Sequence, residues 1–341
     1  MNSSVTWFNV TVHAVRPLTP TIREIQLQYP HAIDAAPGAH VPVQVQLQEG
    51  GVDTRAYSVV SHTPDGQVTI AIKAVENSRG GSRYMWTLET GMQLMAANPV
   101  SLFQPSWDAT EYLLLAGGVG ITPLISHARA LVQKNVSLRL LYAVRSLDEA
   151  AYLEPLRELL GNRVTVFDAS RGERLDIAAQ LERLHEHAQV YLCGPMGLMD
   201  AVRAEWSRQG RKAVNLRYET FGSSGGYPAT AFTVRVPRLN REIHIQPDQT
   251  ILDALNAAGV VTLSNCRRGE CGLCCVDVLE HDGVLDHRDV FLSPAQRRQG
   301  NKLCTCVSRV AGQSVTLDPA WRGDPDFSRT EILDSDIQTT A

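Results

Sequence analysis

The first hundred residues alternate apolar and polar positions in short runs, among them Val41-Pro42-Val43-Gln44-Val45-Gln46-Leu47 and Val68-Thr69-Ile70-Ala71-Ile72, with Gly, Pro and Asp between them. A period of two with frequent turn residues predicts an antiparallel barrel or sandwich. From about Glu111 the pattern changes. Apolar runs at Tyr112 to Ala116, Leu138 to Ala143, Val164 to Phe167 and Val190 to Cys193 are each followed by a helical stretch, which predicts a parallel, doubly wound sheet. The segment Gly222-Ser223-Ser224-Gly225-Gly226-Tyr227-Pro228 has the composition of a flexible hinge. Beyond it, Ala231 to Val236 and Glu242 to Ile245 read as a hairpin, Thr250 to Ala258 as a helix and Cys275 to Glu280 as a strand, a small α+β domain. The expected organisation is a barrel domain over 1–107, an α/β domain over 108–225, an α+β domain over 226–320 and a surface-draped tail over 321–341.

Bulk properties narrow the class. A chain of 341 residues exceeds what one core usually organises. The formal net charge of -4 and the absence of a long basic block give no reason to expect nucleic acid or anionic lipid. Apolar runs such as Tyr112 to Ala116 stop after five residues, far short of the roughly 20 that span a bilayer. The start, Met1-Asn2-Ser3-Ser4-Val5-Thr6, lacks the basic and apolar segments of a secretion signal, so the cytoplasm is the expected compartment, without membrane attachment. Six of the seven cysteines fall between Cys266 and Cys306, and such clustering in a reducing compartment points to metal.

The cysteine spacing is specific. Cys266-Arg267-Arg268-Gly269-Glu270-Cys271-Gly272-Leu273-Cys274 follows the C-x4-C-x2-C pattern that, with a distant fourth cysteine, holds a [2Fe-2S] cluster. Gly269 and Gly272 allow the loop to turn and present amide N–H groups to the cluster's negative charge. A zinc site would use paired C-x2-C units, and buried structural thiols would need no spacing at all. The fourth ligand is Cys304 or Cys306. Cys275 then opens the following strand as a structural residue.

Three weaker motifs lie upstream. Arg55-Ala56-Tyr57-Ser58 offers a cation, an aromatic face and a hydroxyl, the groups that a flavin phosphate, an isoalloxazine ring and its N5 edge require. A surface arginine beside a core tyrosine would read the same. Ile72-Lys73 ends a strand, and Ser78-Arg79-Gly80-Gly81-Ser82 precedes a helix near Arg83, where glycine amides and the Ser82 hydroxyl suit a phosphate or merely cap a turn. In Ala116-Gly117-Gly118-Val119-Gly120-Ile121-Thr122-Pro123 a buried strand enters a glycine turn and then a helix, the place where a dinucleotide pyrophosphate meets helix amides, although the pattern is not G-x-G-x-x-G. Cys193-Gly194-Pro195 closes another strand of the same sheet at its ligand-binding edge. Arg145 and Ser146, at the end of the sheet's second strand, suit either a 2′-phosphate or a solvated turn.

In this order, R-x-Y-S, G-G-S, G-G-V-G-I-T-P, C-G-P and the four-cysteine motif resemble the phthalate dioxygenase reductase family, which also holds vanillate demethylase reductases. The resemblance runs from about Trp7 to Trp321. It implies an antiparallel β-barrel flavin domain, an α/β nucleotide domain and a β-grasp ferredoxin domain. Carried over, it makes Arg55 an FMN phosphate ligand, Tyr57 a stacking residue and Ser58 a partner of N5, with Ile72 and Lys73 along the flavin and Gly80, Gly81 and Ser82 around its phosphate. Gly117, Gly118, Gly120, Thr122 and Pro123 would line the pyrophosphate site, Cys193, Gly194 and Pro195 the nicotinamide site, and Phe221 would shield the flavin. Leu303-Cys304-Thr305-Cys306-Val307-Ser308-Arg309 is similar to the ferredoxin segment in which valine follows the last ligand, which favours Cys306. The 31 residues between Cys274 and Cys306 imply a longer loop around Asp286 to Asn301, and Tyr218-Glu219-Thr220-Phe221 lacks the histidine often found there.

The implied activity is electron transfer from NADH through FMN and a [2Fe-2S] cluster to a Rieske-type terminal oxygenase of a ring-hydroxylating or demethylating system, by a monomer. Ser58, Cys193 and Phe221 are the residues expected nearest the chemistry. The chain has no Rieske site of its own, since His281 and His287 stand alone. The alternatives are an FAD-containing reductase for another monooxygenase, against which Arg79-Gly80-Gly81-Ser82 speaks, and a non-enzymatic redox carrier or sensor.

Overall fold

The computed structural model describes residues 5–47, 51–75, 80–221 and 225–319. The chain divides into two compact units, Met1–Glu219 and Thr220–Ala341.

The first unit begins with β1 (Trp7–Pro17), β2 (Ile22–Gln28), β3 (Ala39–Gln46), β4 (Val52–His62), β5 (Gln67–Lys73), the short helix α1 (Gly81–Thr87), β6 (Gln93–Ala97) and β7 (Val100–Ser101). The strands run in the order β4-β5-β2-β1-β6-β3, and pairing of β3 with β4 closes a six-stranded antiparallel barrel, with β7 added to β3. Closure follows from the alternation. Val41, Val43 and Val45 point inward and are fully buried, joining Val10, Val12, Ile25, Leu27, Val68 and Ile70.

There follow β8 (Glu111–Gly117), α2 (Ile121–Gln133), β9 (Ser137–Val144), α3 (Leu153–Leu160), β10 (Val164–Asp168), α4 (Ile177–Glu182), β11 (Gln189–Cys193), α5 (Met196–Arg208) and β12 (Leu216–Glu219). The five strands are parallel, in the order β10-β9-β8-β11-β12. β8 is buried along nearly its whole length because helices cover both faces. β12 is a four-residue edge strand, Leu-Arg-Tyr-Glu, too short and too polar for the apolar pattern to reveal.

Barrel and parallel sheet share one core. Ile22, Val60 and Ala71 of the barrel pack with Leu114, Ile121, Leu124 and Tyr142 of the sheet layer. Polar ties fix the same seam: the Tyr152 hydroxyl donates to Glu24 at 2.8 Å, Arg129 donates to the Val60 carbonyl at 2.8 Å, and the Thr21 hydroxyl donates to Glu149.

The second unit holds β13 (Phe232–Val236), β14 (Arg241–Ile245), α6 (Ile251–Ala257), β15 (Cys275–His281), β16 (Val284–Asp286), α7 (Pro294–Gln299), β17 (Lys302–Cys304), β18 (Arg309–Ala311) and β19 (Ser314–Asp318). A mixed sheet of order β14-β13-β19-β15-β17 packs against α6 through Phe232, Val234, Ile251, Leu255, Val276 and Leu317, the layout of a β-grasp domain. Thr250 caps α6, accepting from the Asp253 amide at 3.0 Å.

Two expectations are refined here. The hinge is in part a docked strap: the Gly226 amide donates to Asp286 at 2.9 Å, Arg288 donates to the Tyr227 carbonyl at 3.2 Å, and a methyl at Gly225 would overlap the Asp286 and Arg288 side chains. Its glycines serve close approach, while residues 222–224 lie outside the described set. The long loop between Asp286 and Asn301 contains α7, started by a reciprocal Ser293–Gln296 capping box. The tail after Trp321 also lies outside the described residues. No described helix is long and apolar enough to cross a membrane.

Candidate functional site

At the flavin end, register places the R-x-Y-S residues on β4, with Tyr57 opposite Val41 and Ser58 opposite His40. Ser58 and His40 are buried. Tyr57 packs on the barrel core, and burial pushes its phenol above the ordinary range, with Arg55 opposing. Ile72 is buried at the end of β5, and Lys73 follows it half-buried. The G-G-S segment starts α1: Gly80 has φ 94°, and a methyl on Gly81 would sit 2.9 Å from Cγ and Nε of Arg55. Two motifs 25 residues apart therefore meet, with the Arg55 side chain across the glycine backbone. Arg55 is also ion-paired with Asp53. The Ser82 hydroxyl is buried with no hydrogen-bond partner. A cation, a bare glycine backbone and an unsatisfied buried hydroxyl fit a phosphate. Ser78 and Arg79 lie outside the described residues. His40 carries no motif and went unmarked; its only trace in the sequence is a polar residue heading an apolar strand.

The nucleotide motifs also converge. The strand order reverses between β8 and β11, the switch point where open α/β sheets bind ligands. Gly117 ends β8, Gly120 precedes α2, and Gly194 follows β11. A methyl on Gly117 would sit 2.6 Å from Pro195 Cδ, one on Gly120 2.8 Å from the Gly194 amide, and one on Gly194 3.0 Å from Gly117 Cα. The two loops thus touch backbone to backbone at Gly120 and Gly194, with the Pro195 and Leu198 side chains against Gly117. Gly118 takes φ 53°, and no side chain caps α2. Thr122 is buried and its hydroxyl donates to the Val119 carbonyl at 3.0 Å; Pro123 is buried in the first turn. A glycine-rich crevice at the start of a helix fits a pyrophosphate. Cys193 ends β11 in register with Ala116 and Glu219, its side chain in the apolar core. Arg145 is exposed, and its carbonyl accepts from the Ser170 amide at 2.9 Å. Ser170 and other donors hold the neighbouring Asp168 carboxyl below the usual range.

In the second unit the thiols meet in several contacts. Cys266 shares a hydrogen bond with Cys271, and the Cys274 and Cys306 sulfurs lie 3.1 Å apart. Two thiols per iron is what a two-iron, four-cysteine cluster requires. Among the described residues no three metal-ligating side chains gather at one point for a single ion. The loop supplies donors to the sulfurs: the amides of Arg268, Glu270 and Cys271 each approach Cys266 Sγ at 3.4 Å, and the Gly269 amide donates to Cys306. Burial pushes the Cys266 thiol up and these amides oppose it. Hydrogen bonds with Cys304 and Cys306 hold the Cys274 thiol well below its usual range. Gly269 and Gly272, both at φ 74°, make the turns; a methyl at Gly269 would lie 2.6 Å from Val307, and one at Gly272 would overlap the Phe291 ring. Cys271 is exposed, Cys274 and Cys306 are buried.

Cys304 also hydrogen-bonds Cys274. It ends β17 opposite Cys275, whereas Cys306 lies in the turn beyond and takes the Gly269 amide. Glu270 accepts from the Thr220 amide at 2.9 Å and pairs with Arg268 at 3.0 Å. Phe221 follows Thr220 and is 36% exposed.

Known proteins are similar to this chain over most of its length. The 2Fe-2S iron-sulfur cluster binding domain matches residues 234–311, and the oxidoreductase NAD-binding domain matches 114–204. The heme-dependent oxidative N-demethylase beta subunit of Ectopseudomonas mendocina (strain ymp) is 35% identical, over 92% of this chain and 99% of its own length. The carnitine monooxygenase reductase subunit of Escherichia coli (strain K12) is 34% identical, over 91% of this chain and 98% of its own. The solved structure of phthalate dioxygenase reductase, described as modular for electron transfer from pyridine nucleotides to [2Fe-2S], is similar with a TM-score of 0.71 and 28% identity, covering 92% of this chain and 98% of that one. The chain therefore belongs to the phthalate dioxygenase reductase family and is an NADH-dependent flavin iron–sulfur oxidoreductase, the reductase component of an oxygenase system.

Proposed function

We propose that the chain serves a Rieske-type terminal oxygenase, working as a cytoplasmic monomer of three functional domains divided near residues 107 and 225. When bound, FMN and the [2Fe-2S] cluster convert the two electrons of NADH into single electrons for the partner. The protein's part is binding and orientation. Arg55, Gly80, Gly81 and Ser82 hold the FMN phosphate, Tyr57 stacks on the ring, Ser58 meets N5, and Ile72 and Lys73 line the ring edge. Gly117, Gly118, Gly120, Thr122 and Pro123 receive the pyrophosphate, while Cys193, Gly194 and Pro195 orient the nicotinamide. Phe221 keeps the shielding role that the family pattern gives it. Cys266, Cys271, Cys274 and Cys306 ligate the cluster.

The observation that carries this reading is the contact of thiols 266/271 and 274/306, with loop amides aimed at the sulfurs. Anaerobic mixing with NADH tests it: flavin absorbance bleaches first and cluster absorbance follows. No bleaching, or oxygenation of an aromatic substrate by this chain alone, overturns it.

A second reading has a specific support: the 35% identical relative is named for a heme-dependent N-demethylase. Co-purification of the partner decides. A Soret band identifies a heme oxygenase, and a Rieske electron paramagnetic resonance signal identifies the first reading.

A further inference from the structure

Two cysteines of the second unit stand outside the proposed cluster ligands, and the fold sets them face to face. Cys275 opens β15, Cys304 ends β17, and the antiparallel register pairs them directly. The Thr305 amide donates to the Cys274 carbonyl at 3.1 Å and the Val278 amide to the Asn301 carbonyl at 3.0 Å. Hydrogen-bonded and non-hydrogen-bonded pairs alternate along such a ladder, so the 275/304 pair, one step from 274/305, is non-hydrogen-bonded. Side chains are closest at these pairs, with Cα atoms ~4.5 Å apart, and both project from one face of the sheet. The Cys304 thiol hydrogen-bonds Cys274 and also Cys275.

We propose that Cys275 and Cys304 are a redox modification site, closing to a reversible cross-strand disulfide beside the cluster when the protein meets hydrogen peroxide. The proposal rests on Cys306, rather than Cys304, being the fourth ligand. Cys275 is half-buried and Cys304 fully buried, so peroxide reaches Cys275 first. The Cys275 sulfur attacks the peroxide O–O bond, forming an S–O bond and releasing one water. The Cys304 sulfur then displaces the hydroxyl, forming the S–S bond and releasing a second water. Two thiols lose two electrons and two protons, and one peroxide becomes two waters. Uncoupled reduction of dioxygen, the oxygenase's co-substrate, supplies the peroxide. The ~4.5 Å separation lies within the ~4.4–6.8 Å disulfide range, so the bond closes without backbone movement.

The test exposes holo reductase to hydrogen peroxide, blocks free thiols by alkylation, and sequences linked peptides without reduction by fragmentation mass spectrometry. Cluster absorbance is followed in parallel. Fragments that separate Cys274 from Cys275 and Cys304 from Cys306 assign the sulfurs. The expected result is a 275–304 link that forms while cluster absorbance persists, disappears with dithiothreitol, and is absent from Cys275→Ser and Cys304→Ser. A cross-link that persists in Cys275→Ser, or a wild-type cluster that bleaches with no 275–304 link, overturns the proposal; the wild-type result decides even if a variant fails to fold. If Cys304→Ser loses the cluster and Cys306→Ser keeps it, the ligand assignment beneath the proposal fails.

Discussion

The nucleotide crevice and the cluster loop use glycine for opposite ends. At the β8/β11 switch point, Gly120 and Gly194 remove side chains so that two backbones touch, and Gly117 makes room for the Pro195 and Leu198 side chains. In the cluster loop, Gly269 and Gly272 bend the chain so that amides point at sulfurs which only side chains can supply. The first site is broken by adding an atom. The second is broken by taking one away.

Removing a sulfur has the largest expected effect. Outer-shell partners of metal ligands already cost ~10–100-fold in affinity when mutated, so Cys306→Ser is expected to cost more than ~100-fold and to abolish delivery to a one-electron acceptor. Flavin reduction by NADH is expected to stay intact. Cys304→Ser keeps its cluster absorbance. Visible spectra and iron content of the two variants check this, and equal losses would dissolve the distinction between ligand and neighbour.

Adding an atom comes next. A methyl at Gly120 overlaps the Cys193 carbonyl and lies 2.8 Å from the Gly194 amide. Backbone cannot rotate aside as a side chain can, so Gly120→Ala is expected to cost ~1–3 kcal/mol of stability and to raise the KM for NADH by roughly tenfold. Gly118→Ala, with open space but φ 53°, is the control: it costs ~1 kcal/mol for the left-handed backbone and leaves KM nearly unchanged. Chemical denaturation and steady-state kinetics separate the two, and a larger KM change at Gly118 would refute the steric account.

The same contrast explains what could be read in advance. The cysteine spacing is legible because side chains carry that chemistry, and the buried parallel strands are legible because each is a continuous apolar run, as in Leu113-Leu114-Leu115-Ala116. The meeting of Gly120 with Gly194 is invisible, because 74 residues separate them and a missing side chain leaves no pattern. Glu270 is invisible for another reason: its partner is the Thr220 amide, and backbone partners have no sequence signature. Alternation likewise yields the barrel strands but not their closure, which depends on β3 pairing with β4.

Acid sharpens the comparison by loading the first unit's core. His127 lies on α2, fully buried beside Phe103 and Tyr191 at ring distances of 4.9 and 5.0 Å, its Nδ1 bonded to the Pro123 carbonyl at 2.8 Å. Burial pushes its pKa down from 6.5 to about 4. Between those values the unfolded chain binds the extra proton, so stability rises with pH across this window and is lost as pH falls from 6.5 towards 4. At one pKa unit per ~1.4 kcal/mol, the loss reaches ~2 kcal/mol by pH 5. His127→Phe is expected to flatten that part of the profile. Denaturant midpoints from pH 7 to 5 give the slope, and parallel curves for the two proteins would remove His127 as the cause.

The smallest expected effect tests whether the flavin end belongs with the crevice or with the cluster loop. Ser82 Oγ is buried and unpartnered, so it costs the apoprotein free energy that a ligand oxygen would return. Ser82→Ala removes one atom, and the two-way comparison gives opposite signs for its two consequences. Apoprotein stability rises by up to ~1 kcal/mol, because an unsatisfied buried hydroxyl is gone. FMN affinity falls roughly tenfold, the ~1.5 kcal/mol of a hydrogen bond to a charged phosphate. Thermal unfolding of the apoprotein and flavin titration of the same preparation measure both. If stability and affinity fall together, Ser82 is a packing residue and the phosphate cradle must be sought elsewhere around Arg55 and Gly81.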